Sequence, residues 1–272
     1  WSPDGKYVSY FSDKSGEYRL VVEEQDGLKP PREIALANPT HYYTPSWSPD
    51  SKKILYHDTN LRVWVLDVES GKAKTVGNDP WMVPQRTLAP VWSPDSKWVA
   101  YASRLKSLYR AIFVTNVDTG DTKQVTDGLA DAMYPVFDAS GKYLWFLAST
   151  DYGLRSQWLD MTSYDREETF GLYLMVLKKG EPSPLLPESD EEGGPAGPGR
   201  SGGRGGGSEP AAQAAGEQAE PAAGAKPSPK APVTVQIDFD GLPQRILAVS
   251  GVPVRQYAQL RPGVAGRATS EV

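Results

Sequence analysis

The sequence has no cysteine among its 272 residues and only two histidines. Disulfides, thiolate nucleophiles and cysteine-bearing zinc sites are thereby excluded, while the redox compartment stays open, because cytosolic and periplasmic proteins can both lack cysteine. A basic face is missing too. The formal net charge is -5, with Lys and Arg scattered among Asp and Glu, so nucleic acid is not an expected partner. No apolar run approaches the roughly 18 to 20 residues that a membrane helix needs, and no charged n-region precedes an apolar h-region; the chain is expected to be soluble, with no membrane partner. It starts at Trp1 rather than Met, inside a repeat unit, and is expected to be a piece of a longer polypeptide.

Catalytic signatures are equally sparse. There is no G-x-S-x-G elbow and no H-E-x-x-H. His41 in "THYYTP" and His57 in "LYHDTN" have no activated nucleophile beside them in sequence, and His57 ends an alternating strand, as a blade-edge residue would. A Ser, His and Asp arrangement assembled in space stays open at this level. The expected catalytic, cofactor-binding and metal-ligating sets are therefore all none. The run "GRSGGRGGGS" lacks both the GxxxxGK[ST] pattern and a strand-then-helix setting, so it is not a phosphate cradle.

What the sequence does contain is repetition. "WSPDGKYVSYFS" from Trp1, "WSPDSKKILYHD" from Trp47 and "WSPDSKWVAYAS" from Trp92 are near copies, and the same register reaches Phe137 in "YPVFDASGKYLWFLAS", at spacings of 46, 45 and 45 residues. In each turn Pro3, Pro49 or Pro94 sets φ and Asp4, Asp50 or Asp95 follows, which is type I turn chemistry with the carboxylate bonding local amides. In "KWVAYAS" a period of two sends Trp98, Ala100 and Ala102 to one face and Val99, Tyr101 and Ser103 to the other. Both faces are apolar, so each strand should lie between two packed sheets. "LRVWVLDV" and "AIFVTNV" supply third strands, and "DVESGK" and "NVDTGDT" supply hairpin loops to a fourth. Four-stranded sheets at about 40 to 50 residues are the mark of β-propeller blades. The repeat aromatics read as core: each can bury about 150 to 250 Å², worth roughly 4 to 6 kcal/mol as an upper bound.

The pattern fails in two places. Residues 150–169 form an excursion between two strands of the fourth unit, holding Trp158, Met161 and Tyr164 beside Asp160, Asp165, Arg166, Glu167 and Glu168; a loop of that length either carries function or packs over a blade. From Glu188 to Pro232 there is no aromatic residue and no Val, Ile or Leu, so this stretch is expected to be a disordered insertion that opens on a solvated acidic run. The expected organisation is all-β: propeller blades over 1–187 (about 1–42, 43–87, 88–132 and 133–187), a low-complexity insertion over 188–232, and the start of a further, truncated blade over 233–272.

The "WSPDGK" and "WSPDSK" motifs look like the blade motif of TolB-type propellers and tricorn-type peptidases. The stretch from "DAMYPVFDASGK" through "WLDMTSYDREETFGLYLMVLKKG", continued after the insertion by "IDFDGLPQRILAVSGVPVRQYAQL", is similar to the second propeller of bacterial tricorn protease homologues. That resemblance implies a seven-bladed propeller, of which this chain is a fragment, in a large cytoplasmic serine peptidase that degrades oligopeptides and carries further domains on the same chain. The propeller would conduct or filter peptides, and the parent would be a homo-oligomer. The family's catalytic Ser, His and Glu lie in parts with no counterpart here, so the chain by itself is expected not to hydrolyse peptides. A periplasmic parent is the alternative location, and a non-enzymatic TolB-like interaction propeller the alternative function.

Overall fold

The computed structural model describes residues 1–81, 88–151, 169–186, 233–257, 259–262 and 268–271. Contacts divide the chain into two units, one of residues 1–183 with 232–272 and one of residues 184–231. Of the second, only residues 184–186 are described, and Leu186 there is exposed.

The larger unit is a series of antiparallel meanders. β1 (Tyr7–Ser12), β2 (Arg19–Glu24) and β3 (Arg32–Ala35) form a three-stranded sheet. β4 (Tyr42–Trp47), β5 (Lys53–Asp58), β6 (Arg62–Asp67) and β7 (Ala73–Asn78) form the second, in chain order. The third consists of β8 (Val91–Trp92), β9 (Trp98–Arg104), β10 (Arg110–Asn116) and β11 (Thr122–Gln124). The fourth contains β12 (Asp131–Phe137), β13 (Tyr143–Ser149), β14 (Gly171–Val176) and β15 (Ile246–Ala248). A separate pair, β16 (Gln259–Pro262) with β17 (Ala268–Glu271), follows. One short 3-10 turn, Pro243–Arg245, is the only helical element among the described residues, and no described helix is long and apolar enough to cross a membrane.

The two apolar faces of each strand go where the period of two sends them. Ala100 and Ala102 are buried with Ile112 and Val114 against Leu144, Phe146 and Met175 of the fourth sheet. Val99 and Tyr101, one residue out of phase, pack against Leu55, Val63 and Val65 of the second sheet. The second sheet turns its other face, Ile54, Tyr56, Trp64 and Leu66, to Leu20, Val22 and Ile34 of the first. No sheet could bury both faces alone; each is the core of its neighbour.

The repeat aromatics fill these seams from one side. Trp47 stacks on Tyr7 of the preceding sheet at 6.2 Å, Trp92 packs into the second-to-third seam, and Phe137 into the third-to-fourth. Trp1, expected to be core like the others, is 74% exposed.

The turns obey one scheme. Ser2 Oγ donates to Asp4 Oδ1 at 2.6 Å, Asp4 accepts from the Lys6 amide at 3.1 Å, and the Gly5 amide closes on the Ser2 carbonyl at 2.9 Å. Ser48 with Asp50 and Ser93 with Asp95 repeat it. In the fourth unit the types are exchanged, Ser140 Oγ donating to Asp138, so the bond survives with its ends reversed. The fourth residue of the turn is left-handed in every copy: Gly5 and Gly141 at φ 74° and 73°, but Ser51 and Ser96 at 60° and 62°. Both serines also face the preceding turn. Ser51 Oγ accepts from the Asp4 amide at 3.1 Å, and Ser96 Oγ from the Asp50 amide at 3.0 Å.

One boundary differs from expectation. The strand at Ile246–Ala248 does not open a further blade; it pairs with β14 as the outer strand of the fourth sheet. Residues 233–242 are not a strand. They run across the third-to-fourth seam, burying Val235, Ile237 and Leu242, with the Val235 amide donating to Asp95 Oδ2 at 2.9 Å. The physical reason is that β14 has an open edge, and among the described residues the next strand in the chain, Ile246–Ala248, fills it.

Candidate functional site

The first strands of the sheets converge. β1 lies beside β4, β8 beside β12, and β12 beside β16. Each of β4, the β8 approach and β12 holds a proline two residues before its Trp or Phe: Pro45, Pro90 and Pro135. Proline donates no ladder bond, and the register breaks around it, between Tyr43 and Ser46 in β4 and between Met133 and Val136 in β12. Ala89 and Tyr134, each just before proline, sit at φ 36° and 52°. Bulges of this kind re-aim side chains at a sheet edge, here along the line where the sheets meet.

At the start of β4 the structure brings together the two histidines. His41 meets Tyr18 edge-on at 5.2 Å and Tyr43 edge-on at 4.9 Å, and Tyr43 stacks on His57 at 4.9 Å. Burial pushes the His57 imidazole down to about 4, against the pull of the neighbouring Asp58 charge. Asp58 itself is 0% exposed and committed, Oδ2 accepting from Trp64 Nε1 at 2.9 Å and Oδ1 from the Arg62 amide at 3.0 Å. No hydrogen bond among the described residues links either imidazole to a hydroxyl or carboxylate. The arrangement offers ring faces for packing rather than a nucleophile and base.

A second polar feature lies across the third-to-fourth seam. Asp131, at the start of β12, accepts from the Arg110 amide at 2.7 Å and from Arg110 Nε at 2.9 Å. Sequence reading missed this pair; its only signal was a single charge at the head of each of two apolar strands. Asp4, Asp50 and Asp95 sit in successive turns, as their spacing predicts, and among the described residues no three His, Asp or Glu side chains converge as a metal would require.

Of the excursion, the two feet are described and the aromatic and charged residues from Trp158 to Glu168 lie outside the described residues. Asp151 ties the feet together, accepting from Ser149 Oγ at 2.6 Å and from Thr169 Oγ1 at 2.7 Å. These two bonds hold the carboxyl of Asp151 below the usual carboxylate range. The low-complexity run over 188–232 also falls outside the described residues.

Comparison with known proteins agrees with this geometry. The family model described as the tricorn protease second beta propeller domain matches residues 1–269. A tricorn protease homolog of Saccharolobus solfataricus is 29% identical over 102 residues, covering 38% of this chain and 9% of that protein. The crystal structure of the tricorn protease superposes with a TM-score of 0.63 at 16% identity, covering 94% of this chain and 21% of the other. A putative TolB from Agrobacterium tumefaciens gives 0.44 at 22% identity, over 64% and 59% of the two chains. This chain thus spans about a fifth or less of the tricorn proteins it matches. The family pattern runs over residues 1–269 of these stacked antiparallel meanders, and the chain belongs to the tricorn protease second β-propeller family.

Proposed function

We propose that this propeller region serves a tricorn-like serine peptidase as scaffold and access path for oligopeptides, the peptide-bond chemistry residing in other domains of the longer chain. The family match over residues 1–269 carries this reading. The convergent first strands support it, since their proline-borne bulges present side chains along one shared line. A cytoplasmic location and a homo-oligomeric parent are proposed on the family resemblance alone.

The test uses the full-length protein and two substrates, a peptide of a dozen residues and a short chromogenic reporter. Thr44 is an exposed residue of β4, and Thr44→Trp adds bulk to the convergent line. Cleavage of the long peptide is expected to slow several-fold while the short reporter is unaffected. Equal rates on both substrates would remove the access role, and a full-length protein that cleaves no peptide would leave the TolB-like interaction propeller as the better account.

A further inference from the structure

Each seam presents the same main-chain carbonyl. Val68, Val117 and Leu177 directly follow β6, β10 and β14, and their amides donate to the carbonyls of Lys52, Lys97 and Lys142. In the first-to-second seam the Val68 carbonyl accepts from Arg32 Nη1 at 2.5 Å, and in the second-to-third the Val117 carbonyl accepts from Lys74 Nζ. Arg32 and Lys74 are equivalent positions on outer strands, opposite Val22 and Val65 of the neighbouring strand. Lys123, opposite Val114, is the next of the series. Its ammonium has no partner among the described residues. The Leu177 carbonyl accepts instead from the Asp238 amide at 3.0 Å and from Arg245 Nη2 at 3.3 Å.

The donors that stand in for Lys123 belong to residues 233–245, which pair with no strand. Val235, Ile237 and Phe239, at alternate positions, face the seam. The first two are buried there, and Phe239 lies against Trp98 at 5.9 Å. One turn residue admits the segment. A Cβ at Gly141 would lie 2.9 Å from both Val233 Cγ1 and Val235 Cγ2, a close approach that glycine allows. Ser51 and Ser96 hold the equivalent position in the other seams.

We propose that the third-to-fourth seam is a docking groove for an extended segment with apolar residues at alternate positions, filled by the chain's own residues 233–245 as a releasable clamp. On release the Leu177 carbonyl passes to Lys123, by the pattern of Arg32 and Lys74. No buried carbonyl is then left without a donor, so the clamp can leave while the sheets stay folded. Two alternative donors for one carbonyl make the seam a two-state element that a competing segment can bias. This device is independent of the peptidase reading.

Lysine acylation of the full-length protein, read by mass spectrometry, tests it, with Lys74 as the reference for a bonded amine. In the native protein Lys123 is expected to label several-fold faster than Lys74. Gly141→Ser closes the groove to the clamp, and serine already fits this turn position in two copies. The Lys123 rate should then fall toward that of Lys74, while hydrogen exchange in β13 and β14 stays slow. Val235→Asp with Ile237→Asp disables the clamp and leaves the groove intact. Lys123 should slow there too, and excess synthetic peptide with the native sequence of residues 233–245 should restore its rate. An unchanged Lys123 rate in either variant, or a peptide that restores nothing, overturns the proposal. So does a loss of protection in β13 and β14 of Gly141→Ser, which would make residues 233–245 a fixed part of the fourth sheet.

Discussion

Arg110 and Asp131 form a buried ion pair that bridges the third and fourth sheets, the Arg110 side chain 12% exposed and the Asp131 side chain 1%. Nε and the main-chain amide of Arg110 both reach Oδ1, at 2.9 and 2.7 Å. The pair fixes how the head of β10 meets the head of β12. Removing the Arg110 side chain strands the buried Asp131 charge in the seam, which costs about 3 to 5 kcal/mol, whereas replacing both by apolar groups of similar size is often neutral. Arg110→Ala should therefore lower the urea midpoint strongly, and Arg110→Met with Asp131→Leu should recover most of the loss. A single variant that unfolds at the parental midpoint would remove the bridging role.

Trp47 and Trp1 share a motif but not a fate. Trp47→Ala opens a hole in the first-to-second seam and should destabilise by about 3 to 5 kcal/mol. Trp1, 74% exposed, has little to lose, and Trp1→Ala should stay within about 0.5 kcal/mol of the parent. Equilibrium denaturation of the two variants side by side checks the contrast; equal effects would contradict the seam-filling role.

Ser96 combines a left-handed backbone, φ 62°, with a bond from its Oγ to the Asp50 amide. Ser96→Ala and Ser96→Gly both lose that bond, but only glycine relieves the backbone. Alanine should therefore be the less stable of the two by about 1 kcal/mol. Thermal unfolding of the pair decides it, and an alanine variant at least as stable as the glycine one would show that the turn relaxes.

His57 imposes a pH dependence whose sign is set by its buried neutral form. Its pKa in the fold is about 4, below the ordinary 6.5, so between those values the unfolded chain holds the extra proton. Stability therefore falls as the pH drops from about 6.5 toward 4, with a slope of at most about 1.4 kcal/mol per pH unit from this group, and less in proportion to its residual exposure. His57→Phe keeps a ring against Tyr43 and should flatten that part of the profile. Urea midpoints at several pH values test this, and an unchanged slope would assign the dependence to other groups.

Much of the architecture is legible in the amino-acid sequence, for a local reason. The Ser, Pro and Asp turn, the alternation in "KWVAYAS" and the hairpin loops are decided by atoms a few residues apart, and the 45-residue period showed that the units had to stack. The left-handed fourth position of the turn was half-visible, since Gly5 and Gly141 hold it in two copies while serine conceals it in Ser51 and Ser96. The pairing of His41 and His57 through Tyr43 was not visible. The turn returns the end of β5 beside the start of β4, but the register shift between Tyr43 and Ser46 decides which rings meet, and their 16-residue separation does not encode it.

The repeat, the two-faced strands and the turn chemistry are local properties of the amino-acid sequence, because propensity and periodicity act within about a dozen residues. The seams are set by contacts between distant segments. Arg245 reaches back 69 residues to the Val176 carbonyl, and β15 joins β14 across the whole low-complexity run; which strand closes a sheet depends on which edge is left open, and a local pattern does not encode that.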